Sequence, residues 1–366
     1  MLDRIKLHFQ KFDWLIFSSV VLLACFGLVE IYSVALGQGG GDFLNFRKQL
    51  VFIFGGVGLL VFFSFIDFRF LKSIHRYIYI GAGLILISVL FLGQTIKGTK
   101  GWFSVFGLGI QPVEFVKIAL IIFLGWFFSN ASFKTRPLKY FILSGLSTFF
   151  LVFLVLLQPD FGSSLLLIFI WIFMLLITGF DKKYFLIIFL SAAVIFSVAW
   201  FLLFKDYQKQ RVMTFLQPTQ NSLGSGYNSS QAMIAIGSGG LVGRGVGFGS
   251  QSQLKFLPEA QTDFIFAVVS EELGFVGSSL MFLFYGILLF RCLFLLNKIN
   301  DDFAIFFVLG GVGLIFVEMF INIGMNIGIV PVVGIALPFL SYGGSSILAN
   351  FVIIGIIENI FIKSKT

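Results

Sequence analysis

Charge is what this sequence has least of. Asp, Glu, Lys and Arg supply only 11% of its 366 residues, where a soluble globular chain carries about 25%. Hydrophobic residues supply 58%. A water-soluble core of this length has no use for so many, so the solvent is lipid. Histidine and cysteine are nearly missing, with two of each. Cys25 and Cys292 both fall inside apolar runs, which excludes a disulfide framework. No basic run carries interleaved exposed aromatics, so the net charge of +8 does not indicate nucleic-acid binding. It points instead to loops against anionic headgroups. Phenylalanine occurs 52 times, and Lys outnumbers Arg 17 to 8. That pattern suits an AT-rich genome and carries no argument for an aromatic cofactor site.

A membrane span needs about 20 largely apolar residues. The candidates are 13–36, 47–66, 74–93, 112–129, 138–157, 162–180, 183–204, 263–290, 302–326 and 341–362, ten in all. The first ten residues are basic, and the first apolar stretch is too long for a signal-peptide core and lacks a small-residue cleavage site. It is expected to stay as the first span. No interval repeats at a fixed period. With both termini cytoplasmic, 15 of the 25 basic residues fall inside and nine outside, Lys117 remaining within a span. Short loops follow that asymmetry. The expectation is an all-α polytopic protein, one membrane domain over 1–366 with a long outer loop at 205–262.

Three outer segments are not ordinary loops. Residues 94–111 are Gly-rich yet hold Trp102, Phe103 and Phe106. Residues 205–262 are rich in Gly, Ser and Gln. Residues 327–340 are apolar but broken by Pro331, Gly334 and Pro338. Irregular backbone at membrane depth survives only if buried in protein or lining a wet cavity. The three are expected to converge on one outward-facing cavity, as re-entrant segments.

An ionisable group at membrane depth is expensive and marks function by default. Glu114 and Lys117 lie three residues apart in the fourth span, on one helix face. They make a functional pair, or an ion pair that fixes packing. Asp263 opens the eighth span and reads equally as a functional carboxylate or, with Thr262, as a helix cap. Glu259 reads as a loop charge and Asp160 as a cap of the sixth span. Glu318, Asn322 and Asn326 form a stripe at i, i+4 and i+8 that faces the bundle, as site or as interhelical glue. The Gly/Ser-dense segment 224–253 offers backbone N–H groups to phosphate oxygens, with Arg211 and Arg244 as charge-assisted partners, or is a flexible surface loop.

The scarcity of histidine then decides something. His8 and His75 both fall on the inner side, and the outer face has neither His nor Cys. A Ser/His/Asp triad, a Cys nucleophile and a His-ligated zinc are excluded there. A general base on that face is a carboxylate, drawn from Asp42, Asp160, Asp206, Glu259, Asp263 and the deeper Glu114. Carboxylates without imidazole suit a hard cation such as magnesium.

Several stretches resemble one known family. "NIGMNIGIVPVVGIALPFLSYGGSS" (322–346), "QPVEFVKIA" (111–119), "QPDFGSS" (158–164) and the run from Ala235 to Gly277 resemble, in order, the signatures of the SEDS family (shape, elongation, division and sporulation). Within it, "GSQSQLKFLPE" and "NIGM" look more RodA-like than FtsW-like, although "PEA" is common in the latter. The resemblance implies a ten-helix SEDS fold in the bacterial plasma membrane. It implies peptidoglycan glycosyltransferase activity on lipid II, a divalent cation (magnesium or manganese) and a class B penicillin-binding protein as partner. The essential aspartate of the family falls on Asp263, its intramembrane Glu and Lys on Glu114 and Lys117. Arg211, Arg244, Gln261, Glu259, Asp160, Ser341 and Tyr342 are the expected substrate contacts. One departure is Gln261, where the family often has His. Elongation and division both remain open. The rival class is a lipid II flippase, which would carry comparable polar groups on both faces. A non-catalytic scaffold is the third reading.

Overall fold

The computed structural model describes residues 2–37, 43–96, 98–105, 108–130, 136–202 and 226–365, with isolated positions at 209 and 213. In chain order the helices are α1 (Leu2–Lys11), α2 (Trp14–Leu36), α3 (Leu44–Phe65), α4 (Phe68–Ser73), α5 (His75–Leu92), α6 (Val113–Ser129), α7 (Pro137–Leu156), α8 (Phe161–Thr178) and α9 (Lys182–Leu202). There follow α10 (Tyr227–Gly239), α11 (Ser250–Gln253), α12 (Ile265–Leu295), α13 (Asp302–Asn326) and α14 (Gly344–Ser364).

Among the described residues, eight helices are long and apolar enough to cross a membrane: α2, α3, α5, α7, α8, α12, α13 and α14. Two further expected spans are present as α6, at 17 residues, and α9, at 21. The protein is a multi-pass membrane protein. Its outside is apolar, with Phe54, Phe91, Phe189, Phe201 and Phe290 among its most exposed side chains. Much of the phenylalanine therefore faces the lipid position.

At the centre, α14 lies along α3, α12 along α2, and α13 between α6 and α8. Several of the basic residues expected on one side gather at one end of the bundle. There Arg291 pairs with Asp13 at 2.8 Å, Lys72 with Asp301 at 3.0 Å and Lys363 with Asp67 at 3.2 Å. His8 bonds Ser64 at that end, and His75 stacks on Trp126.

The opposite end corrects two expectations. The described residues between 94 and 110 form not a re-entrant loop but a small antiparallel sheet, β1 (Gln94–Ile96), β2 (Thr99–Val105) and β3 (Leu108–Ile110), in the order β1-β2-β3. Strand pairing satisfies the backbone that a Gly-rich loop would leave open. The second correction concerns the Gly/Ser-dense segment. It begins as a helix, α10, and then inserts into a break in α12 at Gly274, whose φ is +67°. The break removes the helical bonds from 275 to 271 and from 276 to 272. Four others replace them. Arg244 N–H donates to the Glu271 carbonyl at 3.0 Å, and Gly245 N–H to the Glu272 carbonyl at 2.9 Å. Phe275 and Val276 N–H donate to the carbonyls of Gly240 and Leu241 at 2.9 and 3.0 Å. The insertion needs a bare backbone: a Cβ on Gly239 would sit 1.8 Å from the Ser270 carbonyl oxygen. Residues 327–340 are, as expected, non-helical. They plug the same end, with Ile335, Leu337, Phe339 and Leu340 buried.

Candidate functional site

Lys117 is 2% exposed and cannot stand unpaired in such a place. Its ammonium meets Glu114 Oε2 at 2.8 Å and Glu318 Oε1 at 2.5 Å. The first contact is the expected i,i+3 pair on α6. The second joins α6 to α13 and makes the pair a triad. Two carboxylates against one ammonium leave no positive charge to offer a diphosphate. This geometry favours the packing reading of Lys117 over direct binding of an anionic substrate.

One and two turns further along α13, Asn322 and Asn326 carry the polar stripe to the other end of the helix. Their amides both donate to the backbone carbonyl of Asp263, each at 3.0 Å. Asp263 itself lies half-buried in a turn over residues 261–264. The N-cap position of α12 falls on Phe264, which makes no side-chain cap bond. Glu259 enters the turn with φ at +55°, a conformation costly for a non-glycine residue and frequent at functional sites. Its carbonyl accepts the N–H groups of Thr262 at 3.1 Å and Phe264 at 3.3 Å. Its carboxylate accepts the Thr262 hydroxyl at 2.9 Å.

The plug closes on this turn. Ser341 Oγ donates to the Thr262 carbonyl at 2.6 Å and accepts from Leu337 N–H at 2.8 Å. Tyr342 N–H donates to the Gln261 carbonyl at 2.7 Å. A Cβ on Gly334, whose φ is +74°, would stand 3.5 Å from Asp263 Oδ2. The carboxylate therefore faces the plug's glycine. Gln261, buried, accepts from Asn45 at 2.7 Å, and Gln49 donates to the Ser341 carbonyl at 3.0 Å.

Two other expected segments reach the plug. Asp160 caps α8 by accepting Ser163 N–H at 3.0 Å, and also accepts Gln111 Nε2 at 3.0 Å. Gln111 N–H in turn donates to Ser345 Oγ at 2.8 Å. A Cβ on Gly162 would lie 2.7 Å from the Val333 carbonyl oxygen. The motifs around 111, 160, 263 and 341 thus meet at one end of the bundle.

The Gly-rich segment, read as a phosphate cradle or as a flexible surface loop, packs against the break in α12. Its N–H groups aim at the protein's own carboxylates. Glu271 accepts Gln251 N–H at 2.8 Å and Ser252 N–H at 3.1 Å. Glu272 accepts Gly247 N–H at 3.0 Å and the Ser33 hydroxyl at 2.5 Å. Arg244 is exposed, with its guanidinium folded onto Ser250 Oγ at 2.9 Å and the Ser238 carbonyl at 3.4 Å. Arg211, Asp42 and Asp206 lie outside the described residues.

Comparison with known proteins agrees with this layout. The family model of FtsW, RodA and SpoVE, described as "Cell cycle protein", matches residues 13–366. The peptidoglycan glycosyltransferase MrdB of Escherichia coli (strain K12) is 36% identical over 346 residues, covering 94% of this chain and 93% of its own. Stage V sporulation protein E of Bacillus subtilis (strain 168) is 33% identical over 357 residues, covering 95% and 96%. One similar solved structure is "Structural coordination of polymerization and crosslinking by a peptidoglycan synthase complex", with TM-score 0.82, 28% identity and coverage of 96% and 98%. Thermus thermophilus RodA superposes with TM-score 0.71 at 26% identity, covering 96% of each chain. This chain belongs to the FtsW/RodA/SpoVE family of polytopic membrane proteins, the SEDS family. Curated members of that family are named peptidoglycan glycosyltransferases.

Proposed function

We propose that this protein polymerises lipid II into glycan strands at the outer face of the bacterial plasma membrane, with both termini cytoplasmic. The observation that carries the reading is the Asp263 turn, onto which α13 and the plug converge. Asp263 takes the proton from the 4-hydroxyl of the acceptor sugar. That oxygen bonds to C1 of the donor sugar as the C1–oxygen bond to the diphosphate breaks, and polyprenyl diphosphate leaves. A diphosphate is already a good leaving group, so one carboxylate base suffices. Among the described residues no cluster of three His, Cys, Asp or Glu side chains cages a metal. The donors present fit the magnesium mode, in which one or two carboxylates and substrate phosphates share the ion; Asp263 is the protein ligand in this reading. When bound, such an ion supplies countercharge to the departing diphosphate. Glu114, Lys117 and Glu318 hold α13 in register beneath the site.

The identity with MrdB and the fold match to RodA support an elongation role over division. The synthase-complex structure supports a crosslinking partner, a class B penicillin-binding protein. The outer-end concentration of the matched motifs supports polymerase over flippase.

Purified protein, with its partner transpeptidase, is to be given fluorescent lipid II and magnesium, and the product resolved on a gel. Polymer is expected from the wild type, none after chelation, and none from Asp263→Asn. Polymer made by Asp263→Asn at the wild-type rate would remove Asp263 from the mechanism.

A further inference from the structure

Three consecutive backbone carbonyls, those of Gln261, Thr262 and Asp263, are each held by a donor from elsewhere in the chain. None of the four donors is close in sequence: they come from Tyr342, Ser341, and the pair Asn322 and Asn326. We infer that Asn322, Asn326 and Ser341 are positioning residues, which aim the Asp263 carboxylate by fixing the peptide planes on either side of it. This rests on the reading of Asp263 as the base.

The hydrogen-bond inventory supports the assignment. A backbone carbonyl has two lone pairs and a side-chain amide two N–H donors. Both asparagine amides point at the Asp263 oxygen. The rest of the Asn322 amide reaches the Ile335 carbonyl at 2.7 Å, and the rest of the Asn326 amide reaches the Asn322 carbonyl at 2.8 Å. Asn326 Oδ1 accepts Ala267 N–H at 3.2 Å, in the first turn of α12. All three side chains are buried: Asn322 and Asn326 at 0% exposed, Ser341 at 4%. They face no solvent, so a solubility role is excluded.

Generic interhelical glue would join α13 to any available partner. Here the bonds end instead on the carbonyl of Asp263 itself, and on that of the plug residue Ile335, next to the Gly334 that faces the carboxylate. Asn322 therefore sets the distance between the carboxylate and its opposite wall. The expected substrate contact at Ser341 is reassigned accordingly, since its hydroxyl is engaged by Thr262 and Leu337.

A base displaced by about 1 Å loses on the order of 100-fold in rate without losing substrate binding. Asn322→Asp and Asn326→Asp keep the side-chain shape but replace donors with an oxygen facing the carbonyl. Ser341→Ala removes the hydroxyl, and Ser341→Thr restores it. With lipid II as substrate, kcat is expected to fall about 10- to 100-fold in the asparagine variants and in Ser341→Ala, with KM within about threefold. Ser341→Thr should recover most of the rate. Asn359→Asp is the structural control. Asn359 bonds Ser64 and Phe68 at the other end of the bundle, so its replacement should lower stability and leave kcat per folded molecule in place. An active Asp263→Asn defeats the base reading itself. An inactive Asp263→Asn, with wild-type kcat in the other variants, defeats only the positioning role. Should the asparagine variants not fold, the Ser341→Ala and Ser341→Thr pair decides alone.

Discussion

Replacing Lys117 with methionine isolates the buried triad. The ammonium is 2% exposed, and its partners Glu114 and Glu318 are 8% and 1% exposed. Removing the cation leaves two carboxylates facing each other without solvent. Breaking a buried pair in this way costs about 3–5 kcal/mol, whereas replacing the whole group by apolar side chains of similar volume is about neutral or stabilising by 1–4 kcal/mol. Lys117→Met should therefore be strongly destabilised. The triple variant Lys117→Met, Glu114→Leu, Glu318→Leu should return to wild-type stability or exceed it. Unfolding in detergent, followed by intrinsic fluorescence against temperature and against SDS fraction, reads both. The reasoning fails if Lys117→Met unfolds with the wild type, or if the triple variant is as weak as the single one. Activity of the folded triple variant then separates the two uses of the charges: full polymerisation means that they only pack, and loss means that they serve the chemistry.

Glu271→Gln and Glu272→Gln each weaken charge-assisted bonds to the inserted segment, at about 1.5–3 kcal/mol per bond lost; hydrogen exchange over residues 244–253 should quicken in both. Gly239→Ala drives a methyl into the Ser270 carbonyl and should prevent the segment from seating, measured as a large fall in melting temperature. By contrast Gly58, within α3, has nothing within 4 Å of a built Cβ, and Gly58→Ala should stabilise by about 0.5–1 kcal/mol through backbone entropy. Asp160→Ala removes a helix cap worth about 1 kcal/mol and frees Gln111, so a modest stability loss should come with a measurable loss of polymerisation.

The helices are legible in the sequence because a bilayer imposes one length and one polarity on every span. The Glu114–Lys117 pair is legible for a similar reason: three residues of helix fix both ends. Glu318 is not, since its place on Lys117 depends on how two helices 201 positions apart in sequence cross. The stripe Glu318, Asn322, Asn326 announces a buried face but not its partners. Glu30, Glu271, Glu272 and Glu358 meet the same intramembrane criterion as Glu114, since all four are 0% exposed, and the adjacent pair in "SEELG" was the available signal. The Gly-rich segment misleads because glycine and serine signal close approach without saying what approaches; here it is the protein's own helix. The sheet at 94–110 hides for want of alternation, its strands β1 and β3 being three residues each.

The break in α12 carries a consequence for biosynthesis. The groups that satisfy the opened helix lie between Gly240 and Gly245, ahead of residues 271–276 in the chain. A ribosome therefore delivers the patch before the gap it must fill. Had the order been reversed, the nascent span would enter the bilayer with bare peptide groups and wait for cover.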